Sequence, residues 1–205
     1  KSVVFGEIYM PGAYQGEWNV DIANSLPAIA KGVYQGYVTV LPGYGPVFKL
    51  NTERNWAQFY GAGADNSDMV NMSTKDFALP GEGSFQVKVN LNTLKWSATP
   101  YSWGIVGDAT SGSWNTSTPM NYDYQTKTWK VTADLIPGNV KFRLNNEWTI
   151  NYGSKNATDG IAYLDDQGAH YIGEGGTYEI TMKINDVDPA NLGYPPTLTY
   201  TITKK

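Results

Sequence analysis

Phe48-Lys49-Leu50-Asn51, followed by Trp56 and then Tyr60-Gly61, returns later in the chain as Phe142-Arg143-Leu144-Asn145, followed by Trp148 and then Tyr152-Gly153. The match extends in both directions with order preserved. Backward, Pro42 aligns with Pro137, Tyr34 with Trp129, and Gly16-Glu17-Trp18-Asn19 with Gly112-Ser113-Trp114-Asn115. Forward, Gly83-Ser84-Phe85-Gln86-Val87-Lys88-Val89 aligns with Gly176-Thr177-Tyr178-Glu179-Ile180-Thr181-Met182. A repeat this long means two copies of one module, because each copy carries a full set of apolar positions with which to bury its own core. In this alignment the first copy carries two extra residues before its tryptophan, and the boundary falls near Ser102, giving modules 1–101 and 102–205.

Within each copy the apolar residues alternate with polar ones, the period that places every second side chain on one face of a strand. The closing strands read Leu94/Trp96/Ala98 and Leu198/Tyr200/Ile202. Turn-forming clusters such as Leu41-Pro42-Gly43 and Ile136-Pro137-Gly138-Asn139 separate the short strands. The expectation is an all-β protein of two tandem immunoglobulin-like antiparallel β-sandwich modules. Lys1 to Phe5 read as the start of a strand, and Ile22-Ala23-Asn24-Ser25-Leu26, stopped by Pro27, is the best helical candidate.

Charge and composition narrow the partners. The net charge is −4, and no basic run exceeds Lys204-Lys205, so nothing matches a phosphate backbone and nucleic acid is not an expected partner. With no cysteine there is no thiolate nucleophile, thiolate metal site or disulfide. His170 is the single histidine and has no counterpart in the first copy, which leaves little from which to build a triad or a multi-histidine metal centre. Asp165-Asp166, Glu174 and Glu179 are the carboxylates available for glycoside hydrolysis or calcium, but they sit in a turn and on the polar side of a strand, without a recognisable binding loop. No catalytic residue, metal or cofactor is expected.

The tryptophans carry more. Sugar rings offer apolar C–H faces to flat aromatic side chains, and their hydroxyls suit planar donors and acceptors such as Arg and Asn. Trp18 and Trp114 follow glycine in polar loops and are expected to be exposed. Trp56 and Trp148 lie just after the strands bearing Lys49 and Arg143, where a hairpin would bring them alongside. Alternation turns Arg143 and Asn145 away from the core-facing Phe142 and Leu144, with Lys49 and Asn51 in the same relation to Phe48 and Leu50. Trp96, Trp103 and Trp129 alternate with apolar residues on strands and are expected in the cores.

Taken together, the segment Ile8-Tyr9-Met10-Pro11-Gly12-Ala13-Tyr14-Gln15-Gly16, the loop tryptophans, Phe48-Lys49, Phe142-Arg143 and the two Trp-x-x-x-Tyr-Gly endings resemble the starch-binding modules of the SusE and SusF outer-membrane lipoproteins of Bacteroidetes. The resemblance covers both copies. It implies a non-catalytic, surface-exposed protein of the outer membrane, held by a lipid anchor outside these residues and working with other proteins of a glycan-uptake complex. In such modules two aromatics follow the curve of an α-glucan while Lys or Arg, with Asn, bonds the sugar hydroxyls. Carried onto this chain, Trp114, Trp148, Arg143 and Asn145 form one carbohydrate site, and Trp18, Trp56 and Lys49, with Tyr14 close by, form the other. A scaffold module of such a complex, a binder of another glycan and a fragment of a glycosidase are the alternatives.

Overall fold

The computed structural model describes residues 6–157, 159–185 and 193–205; the strand start expected at Lys1 to Phe5 lies outside them. The chain divides into two compact units, Lys1–Pro100 and Tyr101–Lys205. Tyr101 goes with the second because its ring packs on Trp103 and Trp129 at centroid distances of 6.1 and 5.9 Å.

The first unit contains β1 (Glu7–Met10), β2 (Asn24–Ala30), β3 (Val33–Val40), β4 (Val47–Phe48), β5 (Leu50–Asn51), β6 (Phe59–Ala62), β7 (Met69–Asn71), β8 (Phe77–Ala78), β9 (Gly83–Asn90) and β10 (Lys95–Pro100). Eight of them follow one hydrogen-bonded path, β10-β9-β3-β2-β1-β5-β6-β7, while β4 pairs with β8; all pairings are antiparallel. The inward residues, among them Ile8, Leu26, Val38, Phe48, Val87 and Trp96, make one buried cluster. Phe48, Phe77 and Trp96 meet at its centre with ring centroids 4.9 to 5.5 Å apart.

The second unit contains β11 (Trp103–Val106), β12 (Thr118–Pro119), β13 (Asn121–Asp123), β14 (Thr128–Leu135), β15 (Gly138–Leu144), β16 (Asn151–Gly153), β17 (Ile161–Leu164), β18 (His170–Ile172), β19 (Gly176–Lys183) and β20 (Thr197–Lys204). Its path is β12-β11-β15-β16-β17-β20-β19-β14-β13, with β18 added to β15. The fold is therefore all-β, built as two antiparallel sandwich bodies. Trp96, Trp103 and Trp129 are buried, whereas Trp18, Trp56, Trp114 and Trp148 are exposed.

Two local expectations are corrected. Ile22 to Leu26 is not helical: Val20–Ile22 is a single 3-10 turn, and β2 starts at Asn24. The segment is drawn into the sheet because Leu26, fully buried, pairs with Ile8, and Pro27 is tolerated opposite Glu7. Leu94 does not begin the closing strand; it occupies a turn at φ 53° and is exposed, and β10 starts one residue later.

The structure also corrects the alignment of the two copies. Leu50 pairs with Tyr60, and Phe142 pairs with Tyr152. One constant offset then superposes Lys49 on Lys141, Leu50 on Phe142, Asn51 on Arg143, Trp56 on Trp148 and Tyr60-Gly61 on Tyr152-Gly153. The two hairpins are equally long, so the two extra residues vanish. The glycines coincide for a steric reason: a side chain at Gly61 would run into the carbonyls of Ser73 and Lys75, and one at Gly153 into those of Asp166 and Gly168.

Candidate functional site

In the second unit, the segment between β11 and β12 folds on itself. Gly107 N–H donates to Ser113 O at 3.0 Å, Ser113 N–H to Thr110 O at 3.0 Å and Thr116 N–H to Gly112 O at 3.2 Å. Such a compact turn has no interior large enough for an indole, and Trp114 is left on its surface, 36% exposed. Trp148, 45% exposed, projects from the β15–β16 connection. Their ring centroids are 6.2 Å apart and the planes are inclined by 33°. The two rings form one apolar surface that is not flat.

Arg143 anchors that surface. The residue is 2% exposed, and its guanidinium carbon lies 4.6 Å from the Trp148 ring centroid. Nε donates to Ser117 Oγ at 2.6 Å, and Nη2 donates to Asn115 O at 3.1 Å and to Asn146 Oδ1 at 2.9 Å. These bonds tie the stretch after Trp114 to the loop that carries Trp148. Burial pushes the Arg143 pKa down, yet a guanidinium starts so high that the group remains charged at neutral pH. Nη1 has no hydrogen-bond partner among the described residues.

Lys141 supports the same ring from further down the strand. Its Nζ lies 5.6 Å from the Trp148 centroid and donates to Asn151 Oδ1 at 3.0 Å and Asp166 O at 2.8 Å. Asn151 Nδ2 in turn donates to Trp148 O at 2.9 Å. Burial lowers the Lys141 pKa, an effect opposed by Asp166 and Asp165. Lys141 was not among the expected site residues. The sequence alignment matched Lys49 to Arg143, which concealed its equivalence to Lys141.

Asn145 does not face the rings as strand alternation implies. It sits beyond the end of β15 at φ 54°, and its Oδ1 accepts from Ser102 N–H at 2.8 Å. Its neighbour Asn146 bonds the arginine instead, and its Oδ1 also accepts from Ser117 N–H at 2.8 Å. An asparagine in the left-handed region is the sequence signal that marks this turn.

The first unit is arranged differently. Trp18 is 36% exposed in a loop pinned by Gln15 Nε2 donating to Asn19 O at 3.0 Å, and Trp56, on the β5–β6 connection, is 40% exposed. Trp18 and Trp56 make no ring contact with each other; Trp56 stands edge-on to Phe59 at 5.6 Å and 75°. Two expected members of this site are elsewhere. Tyr14 is 4% exposed, part of the core cluster, with its hydroxyl donating to Met10 O. A 3-10 turn over Ala13–Gln15 points it inward. Lys49 is buried, with its ammonium 3.0 Å from Asp76 Oδ1 and 6.0 Å from the Phe59 ring centroid, so it is enclosed beside a carboxylate.

The cation that bonds the segment following Trp18 is Arg54, two residues before Trp56. Its Nη1 donates to the carbonyls of Val20, Asp21 and Ala23 at 3.0, 2.9 and 3.1 Å, and its guanidinium carbon stands 4.4 Å from the Tyr9 ring centroid. It joins the stretch after Trp18 to the loop that carries Trp56, as Arg143 does in the second unit. Sequence reasoning missed it because the repeated Phe-x-Leu-Asn pattern drew the equivalence to Lys49.

Three of the carboxylates considered for catalysis are engaged in structure. Glu174 pairs with Lys204 at 2.6 Å, Glu179 with Lys205 at 2.9 Å, and Asp166 Oδ1 accepts from Gly168 N–H at 2.8 Å. No group of three or more His, Asp or Glu suited to a metal ion occurs among the described residues. His170 Nδ1 lies 2.9 Å from the Tyr200 hydroxyl, which donates to Ser154 Oγ at 3.2 Å. Burial lowers the His170 pKa below its ordinary 6.5. The unfolded chain therefore takes up this proton before the folded one, so the stability associated with neutral His170 is complete above about pH 6.5 and is lost as the pH falls through the folded value, by at most about 1.4 kcal/mol per pH unit. Urea unfolding at pH 5 and pH 7.5 is expected to show a smaller loss in His170→Phe than in the wild type; equal losses would contradict this.

No family model matches the chain, and no curated protein matches it.

Proposed function

We propose that this protein binds α-glucan without cleaving it, through aromatic stacking supported by arginine hydrogen bonds. The observation that carries the reading is the Trp114–Trp148 pair, two exposed rings inclined at 33° with a nearly buried Arg143 beneath one of them. Exposing two large indoles side by side leaves apolar surface in water that a ligand can cover. The C–H face of a sugar ring is flat and apolar enough to do so, and its hydroxyls take the donor that Arg143 leaves unpaired. Successive residues of an α-linked chain turn relative to one another, which suits two rings that are inclined rather than coplanar.

Pre-organisation supports the same reading. Arg143, Lys141 and Asn151 hold the Trp148 loop from below, so little side-chain freedom remains to be lost on binding. On this reading the two units present two sites, and a polymer that engages both gains avidity over a single contact. The biological setting we propose is capture of polysaccharide at a bacterial cell surface by a SusE/SusF-like outer-membrane lipoprotein of a glycan-uptake complex.

Titration calorimetry with maltoheptaose, beside isomalto- and β-linked oligosaccharides of similar length, tests the reading together with an assay for released reducing ends. The expected result is weak binding of the α-1,4-linked chain and no release. Binding of a β-linked chain alone would move the site to another glycan; binding of none, with capture of another protein through the same tryptophans, would favour a scaffold.

A further inference from the structure

We infer that the first unit is a working glycan site whose hydroxyl-binding cation is Arg54, because Arg and Asn have exchanged places between the two hairpins. This rests on the glycan-binding reading above. With the hairpins superposed through their Tyr-Gly ends, Asn51 falls on Arg143 and Arg54 falls on Asn146. The second unit has arginine on the strand and asparagine in the turn three residues later; the first has asparagine on the strand and arginine three residues later.

The strand opposite accommodates the exchange. Across the ladder Arg143 faces Gly104, and Asn51 faces Tyr9. Where the long side chain rises from the strand, the facing residue has no side chain. Where it descends from the loop, the facing residue supplies an aromatic ring on which it lies, at 4.4 Å. In both units the guanidinium then bonds backbone carbonyl oxygen just after the loop tryptophan: Asn115 O following Trp114, and Val20, Asp21 and Ala23 O following Trp18. The exchange preserves both tasks of the guanidinium, stapling the two tryptophan-bearing loops and lying on an aromatic ring.

What differs is the part left over. Arg143 spends Nε and Nη2 on the protein, leaving Nη1. All three carbonyl bonds of Arg54 are made by Nη1, so Nε and Nη2 have no partner among the described residues, and the side chain is exposed. Those two N–H groups lie on one edge of a planar fork, a geometry that suits adjacent hydroxyls of one sugar. Lys49, with its ammonium enclosed against Asp76, takes no part.

The test uses the full chain carrying Trp114→Ala, which leaves the first unit as the measurable site, titrated with maltoheptaose. Adding Arg54→Met is expected to weaken the remaining binding by at least about tenfold, the loss of hydrogen bonds from a charged donor. Arg54→Lys keeps the charge without the fork and is expected to weaken it almost as much. Lys49→Met removes the partner of Asp76 and is expected to lower stability, yet to leave the affinity of the folded protein within about twofold. A denaturation midpoint recorded for each variant separates loss of binding from loss of fold, and Arg54→Lys, which retains a donor for the loop carbonyls, serves if Arg54→Met unfolds. Residual affinity unchanged in folded Arg54→Lys and Arg54→Met, or no residual binding in Trp114→Ala itself, overturns the inference and leaves the second site standing. Absence of binding in the wild-type chain overturns the glycan reading and this inference with it.

Discussion

Trp114→Ala is expected to weaken maltooligosaccharide binding at the second unit by roughly 30-fold, a loss of about 2 kcal/mol typical of an aromatic residue at the centre of a contact. The ring is exposed and packs against Trp148, so stability is expected to change by no more than about 0.5 kcal/mol. Trp148→Ala is expected to match it in binding but not in stability. That ring covers both Arg143 and Lys141, and its removal opens two cations to water and loosens the loop. The measurements are calorimetry for affinity and urea unfolding for stability. A Trp114→Ala protein that keeps both the affinity and the number of binding sites of the wild type would remove Trp114 from the site.

Trp103→Ala is expected to cost about 3–5 kcal/mol, the range for truncating a large buried aromatic. Against a typical domain stability of about 5–15 kcal/mol, this leaves the second unit marginal or unfolded. Trp103 is fully buried, and its ring meets Tyr101 at 6.1 Å and Tyr152 at 5.7 Å. It also pairs with Leu144, next to Arg143 on the strand, so the cavity opens directly beneath the site. Trp103→Phe is expected to cost far less, about 1–2 kcal/mol, because the indole N–H has no hydrogen-bond partner among the described residues to lose. The urea midpoint followed by circular dichroism checks both, and an unchanged midpoint in Trp103→Ala would contradict the core described for this unit.

What the residues alone revealed, and what they concealed, follows from the same geometry. The exposure of all seven tryptophans was legible because loop glycines and strand alternation act on each one locally. The register of the repeat was not. Side chains on a strand recur every two residues, so sliding Phe48-Lys49-Leu50-Asn51 by two along its strand leaves every residue on the same face. Alternation cannot detect that slip; the pairing of Tyr60 with Leu50 and of Tyr152 with Phe142 does. The error matched Lys49 to Arg143 and left unseen that Arg54 falls on Asn146. Tyr14 and Asn145 failed for a different reason, since a single 3-10 turn and a left-handed residue redirect a side chain without altering the surrounding hydrophobic pattern. Ile22 to Leu26 was misread because the preference of Pro27 to end a helix said nothing of its place opposite Glu7 in a sheet.

Electrophoresis through a gel containing amylopectin, comparing the wild type with a protein in which Trp18, Trp56, Trp114 and Trp148 are all replaced by alanine, bears most directly on the claim that these four exposed rings hold α-glucan. The wild type is expected to be retarded relative to a gel without polysaccharide, and the fourfold variant, folded to the same extent, to migrate freely. Free migration of the wild type, or equal retardation of the two proteins, would contradict the claim.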